Sequence, residues 1–167
     1  TLRPCPERIA LWRVRLGEPR RRRIGLAWSG APYHPDDRNR SIPLAALAPI
    51  LDADADFVCL QRDIRPTDSD AIVRLGVTAP GPDLTDFDDT AALASLMDLV
   101  IAVDTSIAHL AASLGRPTWI LLPFAPDWRW GLEGAASPWY PTARLFRQPA
   151  IGDWESVISA VNLALRD

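Results

Sequence analysis

Leu99-Val100-Ile101-Ala102-Val103-Asp104-Thr105-Ser106-Ile107-Ala108-His109-Leu110-Ala111-Ala112-Ser113-Leu114-Gly115 is the stretch that decides the fold. Its first five residues are apolar and uncharged, the pattern of a strand buried on both faces. The run stops at Asp104-Thr105-Ser106, residue types that cap helices and exchange hydrogen bonds. Ile107, Leu110, Ala111 and Leu114 then recur at helical spacing, and Gly115 closes the element as a glycine just past a helix end does. Ser106, His109 and Ser113 fall on the opposite face. Strand, polar turn and helix N-terminus together form the arrangement that binds anions in open α/β sheets. Helical side chains lean toward the N-terminus, so His109, one turn in, is expected to point at the same spot.

Working outward, the chain alternates. Helices are predicted over Pro6–Leu16, Pro43–Leu51, Pro66–Leu75, Asp88–Met97, Ile107–Leu114 and Trp154–Leu165. Strands are predicted over Ile24–Trp28, Phe57–Leu60, Val77–Ala79, Leu99–Val103, Thr118–Leu122 and Arg144–Phe146. Alternation of this kind predicts an α/β fold: a three-layer Rossmann-like domain with a parallel sheet covered on both sides. Residues 1–22 divide off as an N-terminal helix and linker, and residues 23–167 form the Rossmann-like domain. No internal repeat is visible.

At 167 residues the chain is long enough for one domain with a hydrophobic core. No apolar run approaches membrane-spanning length, and the Arg-rich start has no apolar segment behind it, so neither a membrane span nor a secretory signal is expected. Cys5 and Cys59 are too few and too far apart for a zinc site or a disulfide scaffold, which makes a reducing, cytoplasmic setting the default. The chain opens on Thr1 and its one methionine is Met97, from which a piece of a longer polypeptide is expected. All 18 basic residues are arginine, which excludes a lysine Schiff base and the P-loop lysine together. Eight arginines stand against two glutamates in residues 1–30, while residues 31–100 set five arginines against thirteen aspartates. The Arg20–Arg23 run, with so acidic a body behind it, reads as a solvated lead into a strand, and no nucleic-acid partner is expected.

Two connections are too long to be mere joints, Ser29–Ile42 with 14 residues and Pro123–Pro141 with 19. Long loops in compact domains are functional or disordered, and the second carries Trp128, Trp130, Trp139 and Tyr140, which argue against disorder. Both follow strands, so in a parallel sheet they share the carboxyl edge with Asp104-Thr105-Ser106. There Ser29 and Gly30 supply a flexible backbone turn, and Arg38 and Arg40 supply planar forks that match phosphate oxygens. The same arginines are spaced to pair with Asp36 and Asp37 instead; the shared rim favours phosphate. Asp104 is either an N-cap or an acceptor for ligand hydroxyls. Leu84-Thr85-Asp86-Phe87-Asp88 is either plain capping sequence or a lip that holds a base and ribose. GxGxxG is absent, and His34, Asp36 and Asp37 lack a metal-ligand spacing, so neither a dinucleotide fold of the usual kind nor a metal site is expected.

Asp104-Thr105-x-x-x-His109-x-Ala111-x-x-x-Gly115-x-Pro117 resembles the motif of the heptosyltransferase family of glycosyltransferases (family 9), in their donor-binding C-terminal domain. Arg40-Ser41-Ile42-Pro43 looks like the family's basic segment ahead of a helix-opening proline. Asp-Arg-Asn-Arg-Ser at 37–41, Leu-Thr-Asp-Phe at 84–87 and Pro-Phe-Ala-Pro-Asp-Trp-Arg-Trp at 123–130 are closer still to bacterial proteins in which such a domain follows tetratricopeptide repeats. Those are distantly similar in architecture to the O-linked N-acetylglucosamine transferases. The resemblance spans residues 23–167. It implies the C-terminal half of a GT-B fold, two Rossmann-like domains of which only the second is here.

It also implies Arg40, Thr105, Ser106 and His109 around the diphosphate of a nucleotide sugar, Asp104 near sugar or ribose hydroxyls, and Leu84, Thr85 and Asp86 beside the base. No metal and no cofactor is implied, because cations and helix-end amides offset the charge of the leaving diphosphate. The sequence departs from the family in carrying Ser106 where glycine is usual and Arg40 where lysine is common. The expected function is donor binding for transfer of a sugar to an acceptor hydroxyl, with any catalytic base on the missing N-terminal domain. A non-catalytic nucleotide or sugar-nucleotide module in a tetratricopeptide-repeat protein is the alternative. A rim that binds protein through Trp128, Trp130 and Trp139 is a third.

Overall fold

The computed structural model describes residues 2–166. In chain order the elements are α1 (Pro6–Leu16), β1 (Arg22–Ala27), α2 (Asp37–Arg40), α3 (Ala48–Leu51), β2 (Ala55–Cys59), α4 (Ser69–Arg74), α5 (Phe87–Ser95), β3 (Leu99–Val103), α6 (Ser106–Ser113), β4 (Thr118–Leu122), β5 (Ala143–Arg147) and α7 (Trp154–Leu165). The strands form one five-stranded sheet in the order β2-β1-β3-β4-β5, every pair parallel. Strand alternation splits the core in two. Leu99, Ile101 and Val103 of β3 join a cluster under α3, α4 and α7, while Val100 and Ala102 join one under α1, α5 and α6. All five residues of β3 are buried, as a central parallel strand requires.

The expected α/β fold with its parallel sheet is the one observed, and β3, β4, α1 and α7 have the predicted bounds. The differences have local causes. The predicted Pro43–Leu51 helix breaks into a 3-10 turn over Leu44–Leu47 and the single turn α3, because Pro49 has no N–H to give a continuous helix. The Pro66–Leu75 helix is likewise a 3-10 turn, Pro66–Asp68, before α4. Here the Asp68 carboxylate turns inward to accept from Trp28 Nε1 at 2.9 Å and from the Leu44 amide at 3.1 Å. Val77–Ala79 makes one bridge, Val58 to Thr78, rather than a strand. Helix α5 begins at Phe87, since Asp86 caps it by accepting from the Asp89 amide at 2.9 Å. Helix α2 is a turn inside a segment predicted irregular. Gly115 takes φ +74° after α6, the left-handed conformation its position called for.

Helix α1 lies on α5 with Trp12 only 1% exposed. The contact is organised by Asp89, a carboxylate 5% exposed, which accepts from the Thr85 amide at 3.0 Å, the Thr85 hydroxyl and Trp12 Nε1 at 3.3 Å. Arg8 Nη1 stands 2.7 Å from it. Burial alone would push Asp89 up, but the bonds from Thr85, Arg8 and Trp12 outweigh it and hold the carboxyl well below the usual range. A depressed pKa gives stability that is complete above the unfolded value of about 3.9 and is lost as pH falls below it. Asp89→Asn should therefore destabilise the protein by about 2 kcal/mol at pH 7 in urea unfolding, and the difference should shrink once the pH drops under about 4. A difference independent of pH would show that the charge on Asp89 contributes nothing.

Candidate functional site

At the carboxyl edge of the sheet β1 and β3 are neighbours, yet their chains leave toward opposite faces. The continuation of β1 feeds the core under α3, α4 and α7, and that of β3 enters α6 on the other side. A crevice opens where they part, the position at which open α/β sheets bind ligands. It is a cleft of about 700 Å³. Ser29 and Gly30 line it after β1, Arg40 from α2, and Thr105, Ser106 and Ile107 at the start of α6. Gln61, Arg62, Ile64 and Arg65 enter from the segment after β2, Leu84 to Phe87 from the lead into α5, and Tyr33 from the mouth.

Arg40 donates from Nη1 to the Asp104 carbonyl at 2.8 Å, which ties the β1 loop to the end of β3. Its guanidinium lies against the bare backbone of Gly30: a Cβ there would stand 2.6 Å from Arg40 Nη2 and 2.9 Å from Cζ. The loop around it is fixed by buried polar contacts. The Gly30 amide donates to Ser41 Oγ at 3.0 Å, and Ser41 Oγ donates to Asp37 at 2.6 Å. Arg65 Nη2 reaches Asp37 at 2.6 Å, Ser41 Oγ at 3.2 Å and the Gly30 carbonyl at 3.2 Å. Burial raises Asp37, but the bonds from Ser41 and Arg65, with the charges of Arg65 and Arg40, hold it below the usual carboxylate range. Gln61 accepts from the Trp28 and Ser29 amides at 2.6 and 3.0 Å and donates to Ser29 Oγ at 2.9 Å.

Polar atoms on this wall are left without partners. Arg40 Nε, Arg65 Nε and Thr105 Oγ1 are buried and make no hydrogen bond among the described residues. Thr105 occupies the N-cap position of α6 with extended backbone, yet its hydroxyl does not cap the helix. The Ser106 and Ile107 amides have no acceptor within the helix either, whereas the Ala108 amide donates to the Thr105 carbonyl at 3.0 Å. Opposite, Leu84 is buried, the Thr85 hydroxyl is spent on Asp89, and the Asp86 carboxylate caps α5 and pairs with Arg8 at 2.9 Å.

Of the residues singled out in the sequence, Ser29, Gly30, Arg40, Leu84, Thr85, Asp86, Thr105 and Ser106 line the cleft. Arg38, Asp104 and His109 are outside the lining. Arg38 is exposed on α2, and Asp37, which its spacing offered as a partner, pairs with Arg65. Asp104 turns its carbonyl to Arg40 and places its carboxylate 3.8 Å from His109 Nε2. His109 stacks on Trp130 with ring centres 4.9 Å apart, and its Nδ1 is 3.0 Å from the Tyr140 hydroxyl. The tryptophan loop claims this imidazole. That loop is held by Arg147, which donates to the carbonyls of Trp130, Gly131, Glu133 and Gly134 and leaves Trp128 and Trp139 73% and 58% exposed. Gln61 and Arg65 were missed. Both follow β2, and a third strand-end loop at the same edge was the available signal.

Residues 83–131 match the family model of glycosyltransferase family 9 (heptosyltransferase), a segment that contains Asp104, Thr105, Ser106 and His109. The chain is 33% identical to Protein FlbA of Caulobacter vibrioides over 99% of its own length, and it spans 29% of that protein. Its structure is similar to E. coli ADP-heptose lps heptosyltransferase II, with a TM-score of 0.60, 16% identity, and coverage of 100% of this chain and 54% of that one. E. coli heptosyltransferase WaaC, solved with ADP, gives a TM-score of 0.63 at 17% identity, over 95% of this chain and 48% of that one. The chain thus spans under a third of the curated relative and about half of these solved chains. The five-stranded parallel sheet and its helices match the GT-B, Rossmann-like fold of the heptosyltransferases, and residues 83–131 relate the chain to family 9.

Burial lowers the pKa of His109, with Asp104 opposing the shift and Arg129 adding to it. The shift favours the neutral imidazole. In an NMR titration its midpoint should lie below the ordinary value of about 6.5, and Asp104→Asn should lower it further by removing the opposing carboxylate. A midpoint that Asp104→Asn leaves in place would remove Asp104 as a partner of the ring.

Proposed function

We propose that this chain is the donor-binding half of a glycosyltransferase, and that the cleft between β1 and β3 holds the diphosphate of a nucleotide sugar. One observation carries the proposal. Among the described residues Arg40 Nε and Thr105 Oγ1 are buried without partners on one wall, beside the Ser106 and Ile107 amides that open α6. Leaving such a group unmet costs about 1–3 kcal/mol, and the several oxygens of a diphosphate are the acceptors such donors call for. In this reading Arg40, Thr105 and Ser106 contact the diphosphate, the backbone at Ser29 and Gly30 allows it to approach, and Leu84, Thr85 and Asp86 flank the base. Asp104 acts through its carbonyl on Arg40, His109 stands behind the helix end, and Arg38 is given no contact.

The chemistry follows from charge. When the sugar leaves for an acceptor hydroxyl, the bond to the diphosphate oxygen breaks and negative charge grows on that oxygen. A guanidinium and a helix N-terminus already in place stabilise it without reorganising. Arginine holds its proton throughout the working pH range, so this contribution does not titrate. The base that takes the acceptor proton is proposed on a separate domain facing the cleft, since the solved heptosyltransferase chains are about twice the length of this one. The proposed setting is the cytoplasm, with tetratricopeptide repeats as neighbours in a longer chain. ADP in the structure of WaaC, and the two free cysteines here, support the donor class and the compartment respectively.

Calorimetry with ADP, UDP, GDP and CDP tests the cleft. Arg40→Ala should weaken the best of them by about 10- to 100-fold, or about 1.5–3 kcal/mol, and lower the melting temperature modestly because the Asp104 carbonyl loses its partner. Gly30→Ala should do nearly the same, because its methyl group lands on the Arg40 guanidinium and displaces it. Wild-type affinity in both variants would sink the assignment. Transfer of labelled sugar by the full-length protein separates an enzyme from a binding module.

A further inference from the structure

Arg40 is not alone beside Gly30. The Arg65 guanidinium touches the same residue through its carbonyl, with Nη2 at 3.2 Å, while Arg40 lies where a side chain of Gly30 would stand. The two cations therefore meet one glycine from two sides. Each keeps a buried Nε with no hydrogen-bond partner among the described residues. Between them they have one close carboxylate, Asp37, 2.6 Å from Arg65 Nη2 and itself 7% exposed. Arg62, a further cation, lines the same wall. Asp63 and Asp86 line the cleft as well, so it is the unused N–H donors of Arg40 and Arg65, rather than net charge, that exceed what the described residues supply, and an oxyanion is the ligand that meets them.

We propose that Arg65 is a second diphosphate-binding residue, paired across Gly30 with Arg40, and that Asp37 is the counter-ion that holds it in place when the cleft is empty. The inference rests on the donor-site reading above and adds a residue to it. Asp37 secures Arg65 through Nη2 alone, leaving Nε without a partner among the described residues. Two guanidinium groups on either side of one glycine suit two linked phosphates better than one. Arg65 is in this respect a ligand-contacting residue, and Asp37 and Ser41 are positioning residues that act through it.

The test uses inorganic pyrophosphate and orthophosphate as probes in calorimetry. Arg65→Ala would strand the Asp37 carboxylate in a buried place, so the informative variant is the double change Asp37→Asn with Arg65→Gln. It removes both charges, keeps the local net charge and leaves polar amides in place of the ion pair. The wild type should bind pyrophosphate more tightly than orthophosphate. The double variant should lose about tenfold or more for pyrophosphate while melting close to the wild type, with the preference over orthophosphate erased. Asp37→Asn alone should weaken pyrophosphate binding by no more than a few-fold, because Arg65 keeps its charge and its contacts with Ser41 and the Gly30 carbonyl. Wild-type affinity in the double variant, with Arg40→Ala still weakened, would overturn the role of Arg65 and leave the cleft assignment standing. A loss in Asp37→Asn as large as in the double variant would make Arg65 a brace for the loop and overturn the inference as well. A wild-type protein that binds neither probe would overturn both.

Discussion

Two neighbouring strands whose chains part company at their ends create a local shortage of hydrogen-bond partners. Inside the sheet β1 and β3 satisfy each other, but past Ala27 and Val103 their backbones separate and the ladder has nothing to pair with. Side chains fill the gap. Gln61 accepts from the Trp28 and Ser29 amides, and Arg40 donates to the Asp104 carbonyl. Each buried backbone group must find such a partner, so the divergence of the two strands dictates which side chains can stand at the crevice. The cleft, the loop that folds over it and the orientation of Arg40 all descend from this constraint.

Much of the fold was legible because the chain states it repeatedly. Val100 and Ala102 point one way and Leu99, Ile101 and Val103 the other, and a run with no polar residue is incompatible with a solvent-exposed face. Capping chemistry fixed the ends of α7, where Asp153 accepts from the Ser156 amide at 3.0 Å. What was not legible turned on long-range partners. The break before α4 exists because Asp68 serves Trp28 and Leu44, 40 and 24 residues away in sequence. Periodicity within a window contains no information about such a debt.

The site divides the same way. Residues next to a strand end, such as Ser29, Gly30, Thr105 and Ser106, could be placed at the rim from topology alone, and they line the cleft. Arg40 lines it too, held there by its bond to the Asp104 carbonyl. His109 was placed by helical spacing, which gives the direction of a side chain but not the identity of its neighbours; Trp130 and Tyr140, 21 and 31 residues later, took it. Arg65 could have been placed at the rim from its position after β2, but not its pairing, since its partner Asp37 sits 28 residues earlier in another loop. Local geometry can be read from sequence, whereas competition among distant partners for one group cannot.

Arg147 brings out a different consequence of arginine's five donors. A single guanidinium on an edge strand gathers four carbonyls from a loop that otherwise has one short 3-10 turn, and so replaces a secondary-structure ladder with one spoke-like hub. The conformational entropy of that loop is lost on folding, before anything touches it. Trp128 and Trp139 are consequently displayed on a stiff mount, crossing edge to face with ring centres 6.5 Å apart. Rigidity at such a surface usually has to be bought with sheet or helix; here a hub of hydrogen bonds around one side chain supplies it, and the strain of losing that hub would spread along the whole span from Trp130 to Gly134 rather than stay at one residue.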